Sequence, residues 1–173
     1  MKFNTISRVL LMLILFLGAI SCKETTDNKI KTIVKETNFT VFNFDNKQEL
    51  AAYNKLNLDH THPNLLNPKI STTDYEIVIK SWTDLHQRIG NHLSKNAFHW
   101  EVKDSSIVIV HKIYFKPNGN IESYFFNILN DDITKEKKEQ FALLISDFAK
   151  HNRIEFKSEE SFAQCGKTKY VNN

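Results

Sequence analysis

The sequence predicts an α+β fold: a small antiparallel sheet built on a central Asn-Gly hairpin, with two main helices packed on it. Three observations carry that expectation. Two β-rich runs, 106–116 and 121–129, flank Pro117-Asn118-Gly119-Asn120. Ahead of them, large apolar residues recur at helical spacing from Tyr75 to Leu93, and behind them a second such stripe spans Phe141 to Phe148. Residues three or four apart share one face of a helix, whereas residues two apart share one face of a strand.

Taken in order, Asn38-Phe39-Thr40-Val41-Phe42-Asn43-Phe44 is β-branched and aromatic and reads as a strand. Asn46 with Glu49 three residues on forms a capping-box pattern, which predicts a short helix ending near residue 56. Asp59-His60-Thr61-His62-Pro63-Asn64, with Pro68 beyond, marks an irregular connection. Thr73 then caps a long helix with Glu76 three residues later. Tyr75, Val78, Trp82, Leu85, Ile89 and Leu93 form its apolar stripe. Gly90 interrupts that helix at a cost of about 1 kcal/mol relative to Ala, too little to break it.

For the hairpin, Asn118-Gly119 supplies the positive φ angles of a two-residue type I′ turn. That turn sets Phe115 opposite Glu122, Ile113 opposite Tyr124, His111 opposite Phe126 and Ile109 opposite Ile128. One side is then almost wholly apolar. The other carries Val108, Val110, Lys112, Tyr114, Ile121, Ser123 and Phe125, a mixed face that is partly covered. A second helix starts near Thr134, with Phe141, Leu144, Ile145 and Phe148 inward, and Arg153-Ile154-Glu155-Phe156-Lys157 alternates as a closing strand. The tail, 158–173, holds Phe162, Cys165, Tyr170 and Val171, enough to dock but not to define an element.

The chain opens with two cations, Lys2 and Arg8, and no acid, followed by the uncharged run Val9-Leu10-Leu11-Met12-Leu13-Ile14-Leu15-Phe16-Leu17-Gly18-Ala19-Ile20. A charged start and a short apolar core make an export leader, and the run falls short of the roughly 20 residues that span a bilayer. Its end, Gly18-Ala19-Ile20-Ser21-Cys22, resembles the lipobox of bacterial lipoproteins, with Ala19 where that family prefers Leu. The resemblance implies cleavage before Cys22 and lipid on its sulfur. Each buried methylene contributes about 0.8 kcal/mol, so several acyl chains hold durably where one binds reversibly. With Lys23-Glu24 and no Asp after the cysteine, the family pattern implies the outer membrane, and a surface-exposed position is an alternative.

The expected organisation is therefore a signal peptide over 1–21, a flexible tether over 22–37 and one α+β domain over 38–173. The tether is rich in Lys, Glu, Thr, Asn and Asp. Without Lys2 and Arg8 the chain carries 21 basic and 20 acidic residues, so no strong field for nucleic acid remains. With Cys22 lipidated, Cys165 has no partner for an internal disulfide and is a free thiol.

The order helix, hairpin, helix, strand over 73–157 resembles the C-terminal domain of TonB and its relatives, without their Pro-x-Tyr-Pro lead-in or their aromatic-x-Pro ending. That resemblance implies a passive interaction unit, or one that binds a short peptide by strand addition.

Chemistry-bearing residues are few. His60-Thr61-His62 is the metal candidate, because on an extended segment both imidazoles point the same way, but a zinc site needs at least one more ligand. Cys165 with His151 or His111 is a formal nucleophile and base with no flanking hydrolase motif. Asp131-Asp132 reads as turn and helix-start chemistry, and Glu101 and Asp104 have no evident partner. Gly166-Lys167-Thr168 imitates the end of a phosphate loop, but Ser161 stands where that loop needs glycine. The expectation is a lipid-anchored, non-enzymatic envelope protein with no cofactor, which meets the membrane through Cys22 and binds an envelope partner. The alternative is a small enzyme or metal-binding protein using His60 and His62 or Cys165. An immunity-type toxin inhibitor also fits a small lipoprotein, without residue-level support.

Overall fold

The computed structural model describes residues 39–71 and 75–172. Cys22, the leader, the tether and the helix cap expected at Thr73 lie outside them. The described elements are β1 (Thr40–Asn43), α1 (Lys47–Leu56), a 3-10 turn (Leu58–His60), α2 (Tyr75–Lys95), β2 (Ser106–Phe115), β3 (Ile121–Ile128), α3 (Lys135–His151) and β4 (Phe162–Val171). Three helices thus accompany one four-stranded sheet of order β1-β3-β2-β4. No described helix is long and apolar enough to cross a membrane.

The sheet is mixed rather than antiparallel, because β1 runs parallel to β3, from Thr40 opposite Ser123 to Asn43 opposite Phe126. Parallel neighbours need a long crossover, and the chain between Asn43 and Ile121 supplies one. Just past β1, the Asn46 side chain accepts from the backbone of Gln48 and Glu49, and its amide donates to Glu49 at 2.6 Å. The second Glu49 oxygen accepts from the Asn43 N–H at 2.7 Å. One glutamate therefore caps α1 and ties it to the end of β1.

The hairpin turn differs from a type I′ turn, which needs positive φ at both central residues. Gly119 has φ of 85°, but Asn118 is not among the residues with positive φ. The Gly119 N–H donates to Lys116 C=O, and the Lys116 N–H donates to Asn120 C=O, both at 2.9 Å. This is a three-residue loop, a type I turn with Pro117 at its second position closed by a left-handed glycine. The ring of Pro117 fixes φ near −65° and favours that geometry. Phe115 consequently faces Ile121 rather than Glu122, and the register shifts between Tyr114 and Phe115. Glu122 becomes the extra, bulged residue, which turns Ile121 off the mixed face and into the core.

The closing strand is also corrected. Arg153 makes one isolated bridge to Asn120, and residues 154–157 form no strand. Instead β4 pairs with β2 along its whole length, from Phe162 opposite Phe115 to Val171 opposite Ser106. β4, at ten residues, can pair along all of ten-residue β2, whereas 153–157 holds five.

One sheet face carries Ile107, Ile109, Ile113, Phe115, Tyr124, Phe126 and Ile128 against Trp82, Leu85, Ile89 and Leu93 of α2 and Phe141, Ile145 and Phe148 of α3. Full burial of each such side chain contributes about 1.5–3 kcal/mol. The other face is only half covered. There the Tyr53 ring of α1 stacks on Phe125 at 4.4 Å and lies 5.7 Å from Phe42.

Candidate functional site

β4 forms one edge of the sheet. Ala163 donates its N–H to Pro63 C=O and accepts from the Leu65 N–H, both at 2.9 Å, while the Cys165 N–H donates to Asn64 Oδ1 at 3.0 Å. These bonds fix the direction of the strand: its odd-numbered residues aim their backbone groups away from β2. The segment 63–65 occupies the edge at Ala163 and Cys165. Beyond it, Lys167, Lys169 and Val171 project N–H and C=O outward with no partner among the described residues.

The side chains of those three residues lie on the half-covered face. Val110 stands opposite Lys167, Val108 opposite Lys169 and Ser106 opposite Val171. Val108 and Val110 are half-buried, both lysines are exposed, and Val171 is 74% exposed. The result is an open strand edge beside a small valine surface, rimmed by two cations. Such an edge is a template for an added strand.

Next to it on the same face sits a polar chain. Lys112 Nζ donates to Asp59 Oδ2 at 2.6 Å, the Tyr114 hydroxyl donates to Asp59 Oδ1 at 2.7 Å, and Tyr53 lies 2.5 Å from the Tyr114 oxygen. Since Tyr114 spends its proton on Asp59, Tyr53 is the donor to Tyr114. Burial raises the Asp59 pKa, but the hydrogen bonds from Lys112 and Tyr114 outweigh it and hold the carboxyl below its ordinary value. Burial likewise lowers the ammonium of Lys112, and Asp59 reverses the balance, so the amine stays charged. Cys165, opposite Lys112 in the pairing, has its thiol pushed up by burial despite the Lys112 charge. Its resting form is the thiol, not the nucleophilic thiolate.

No family model, no curated protein and no solved structure matches this chain.

The residues singled out from the sequence do not converge. His60 ends a 3-10 turn and is exposed, whereas His62 is buried and its Nδ1 lies 2.8 Å from Thr61 Oγ1. The extended geometry that would have aligned the two imidazoles is absent there. Nε2 of His62 instead lies 3.7 Å from Glu122. Among the described residues, no three of His, Cys, Asp and Glu are grouped closely enough to hold a metal ion.

His111 lies on the core face, opposite to Cys165, fully buried, with Nδ1 2.7 Å from Tyr124 Oη and Nε2 2.6 Å from Thr168 Oγ1. His86 packs its ring 4.5 Å from that of His111, and its Nδ1 lies 2.7 Å from Tyr170 Oη. Burial drives the His86 pKa down to about 3, and burial together with His86 keeps His111 well below its ordinary value. These are neutral core histidines. His151, at the end of α3, contacts the Asp147 carbonyl. Glu101 pairs with Lys137 at 2.6 Å and Asp104 accepts from Asn130, which gives both acids structural partners. Gly166, Lys167 and Thr168 are consecutive residues of β4.

Two surface cavities, of about 460 and 600 Å³, lie elsewhere, one by the hairpin and the end of α3, the other between the starts of α1 and α3. Neither is lined by His60, His62 or Cys165. Lys167, Lys169, Tyr53, Asp59 and Lys112 were missed as a group. A signal existed for the edge: from Cys165 to Val171, side chains alternate between exposed Lys and inward Gly, Thr and Tyr. No sequence signal places Asp59 beside Lys112, 53 positions away.

Proposed function

We propose that this chain is an exported envelope protein, anchored through lipid on Cys22, whose domain is a non-enzymatic binding module that accepts an extended segment of a partner along β4. The anchor rests on the leader and the Gly18–Cys22 junction, and mass spectrometry tests it by looking for a mature terminus at Cys22 carrying acyl mass. The binding reading rests on one observation, the outward backbone groups of Lys167, Lys169 and Val171, which have no partner among the described residues. An added strand would satisfy those groups and cover the adjoining valines.

The test is photo-crosslinking in cells, with a benzophenone side chain at position 167 and, as control, at exposed Lys95 of α2. Lys169→Pro deletes an outward N–H without removing a bond to β2, since proline is tolerated at such edge positions. The account expects a discrete adduct from position 167, none matching it from position 95, and loss of the adduct on Lys169→Pro. The same adduct from both positions, or one indifferent to the proline, contradicts it.

A further inference from the structure

We infer that the segment accepted along β4 is acidic, an extended peptide with carboxylates two residues apart that stand opposite Lys167 and Lys169. This rests on the strand-addition reading above and adds the chemistry of the partner.

The argument starts from the strand period. In an added strand, residues alternate between faces, so those on the side of Lys167 and Lys169 recur every second position. Both lysines are exposed, and neither takes part in an ion pair among the described residues. Lys112, the next cation along this face, is already neutralised by Asp59. Among the described residues, two cations without an ion pair therefore accompany the outward hydrogen-bonding groups, and Asp59, the acid beside Lys112, is engaged by that lysine. Directly opposite cross-strand charges of unlike sign stabilise a pair, and like charges destabilise it.

The same rule disfavours a second copy of this chain paired symmetrically about Thr168. Two β4 strands meeting antiparallel about Thr168 would set Lys167 of one copy opposite Lys169 of the other, twice over. Lysines on an edge oppose indiscriminate pairing in just this way. They leave the edge open to an occupant whose charges complement them. Val171 follows Lys169 by two residues on the same face, so the partner position opposite it should be apolar.

The experiment titrates the full-length protein in detergent with three fluorescent peptides in which valine alternates with glutamate, glutamine or lysine. Backbone NMR signals of Lys167, Lys169 and Val171 report where each one binds. The expected order is glutamate, then glutamine, then lysine, with the glutamate peptide binding at least about fivefold more tightly than the glutamine one. Added salt should compress that difference. In Lys167→Glu/Lys169→Glu, a double change of exposed side chains, the order should reverse. If the glutamine peptide binds the edge as tightly as the glutamate peptide, or the double variant keeps the original order, the acidic preference is wrong while strand addition stands. If no peptide moves those three signals, strand addition fails and the inference fails with it.

Discussion

Gly166 and Trp82 are in such close contact that a Cβ on Gly166 would sit 3.0 Å from Cζ2 of the indole. Leu66 Cδ1 would lie 3.4 Å from the same Cβ. The indole is a rigid plate in the core cluster, so it cannot yield as a flexible side chain would. Gly166→Ala is expected to destabilise the domain by about 1–2 kcal/mol through overpacking. Urea unfolding measures this, and an unchanged midpoint contradicts the packing described.

The hairpin loop makes a second, sharper prediction. A Cβ on Gly119 would clash with the Ile154 carbonyl oxygen, and φ there is positive. Gly119→Ala should therefore cost about 2–3 kcal/mol from strain and displaced backbone. Asn118 lacks a positive φ, and its side chain contributes one bond to the Asn120 N–H at 3.1 Å. Asn118→Ala should cost only about 0.5–1 kcal/mol. Comparable losses at the two positions would favour a type I′ turn instead.

Acid should weaken the fold earlier than carboxylate protonation alone would. His86 and His111 have folded pKa values depressed below the ordinary 6.5. Their contribution is therefore fully present above that value and is lost as pH falls from there towards about 3, the folded value of His86. Each histidine contributes a slope of up to about 1.4 kcal/mol per pH unit over that window. Unfolding free energy measured between pH 7 and 5 should fall steeply, and His86→Gln should roughly halve the slope. A flat profile would falsify the assignment of both histidines as buried and neutral.

The Asp59–Lys112 pair should control the reactivity of Cys165. Asp59 raises the thiol pKa and Lys112 lowers it, both behind the larger effect of burial. Asp59→Asn removes one opposing charge and frees Lys112, so iodoacetamide should modify Cys165 faster near neutral pH, as read by peptide mapping. Slower modification, or none of the expected change, means that the pair does not reach the thiol.

How much of this was legible beforehand differs by element. The Asn46–Glu49 pattern and the Tyr75–Leu93 and Phe141–Phe148 stripes are local signals, and local physics decided those helices. Asn118-Gly119 taken alone predicts a type I′ turn, but Pro117, with its φ fixed by the ring, sets a type I turn ahead of Gly119. Residues 153–157 alternate better than β4 does, yet Arg153 only bridges Asn120 while β2 pairs with β4 over ten residues, a choice of partner that no local pattern encodes. β4 escaped notice because Gly166 fits under Trp82, where the sequence shows merely a break in hydrophobicity. His60 and His62 were judged as an extended pair, and the Leu58–His60 turn rotates them apart. The open edge was the least legible feature, since it depends on which side of β4 the segment 63–65 and β2 each occupy.

Amide hydrogen exchange resolved along β4 tests that edge most directly. The N–H groups of Gly166, Thr168 and Tyr170 should be protected by β2, while those of Lys167, Lys169 and Val171 exchange far faster, giving an alternating profile. Uniform protection across the six amides would mean that the edge is already occupied, and the account of a strand-accepting module would fail.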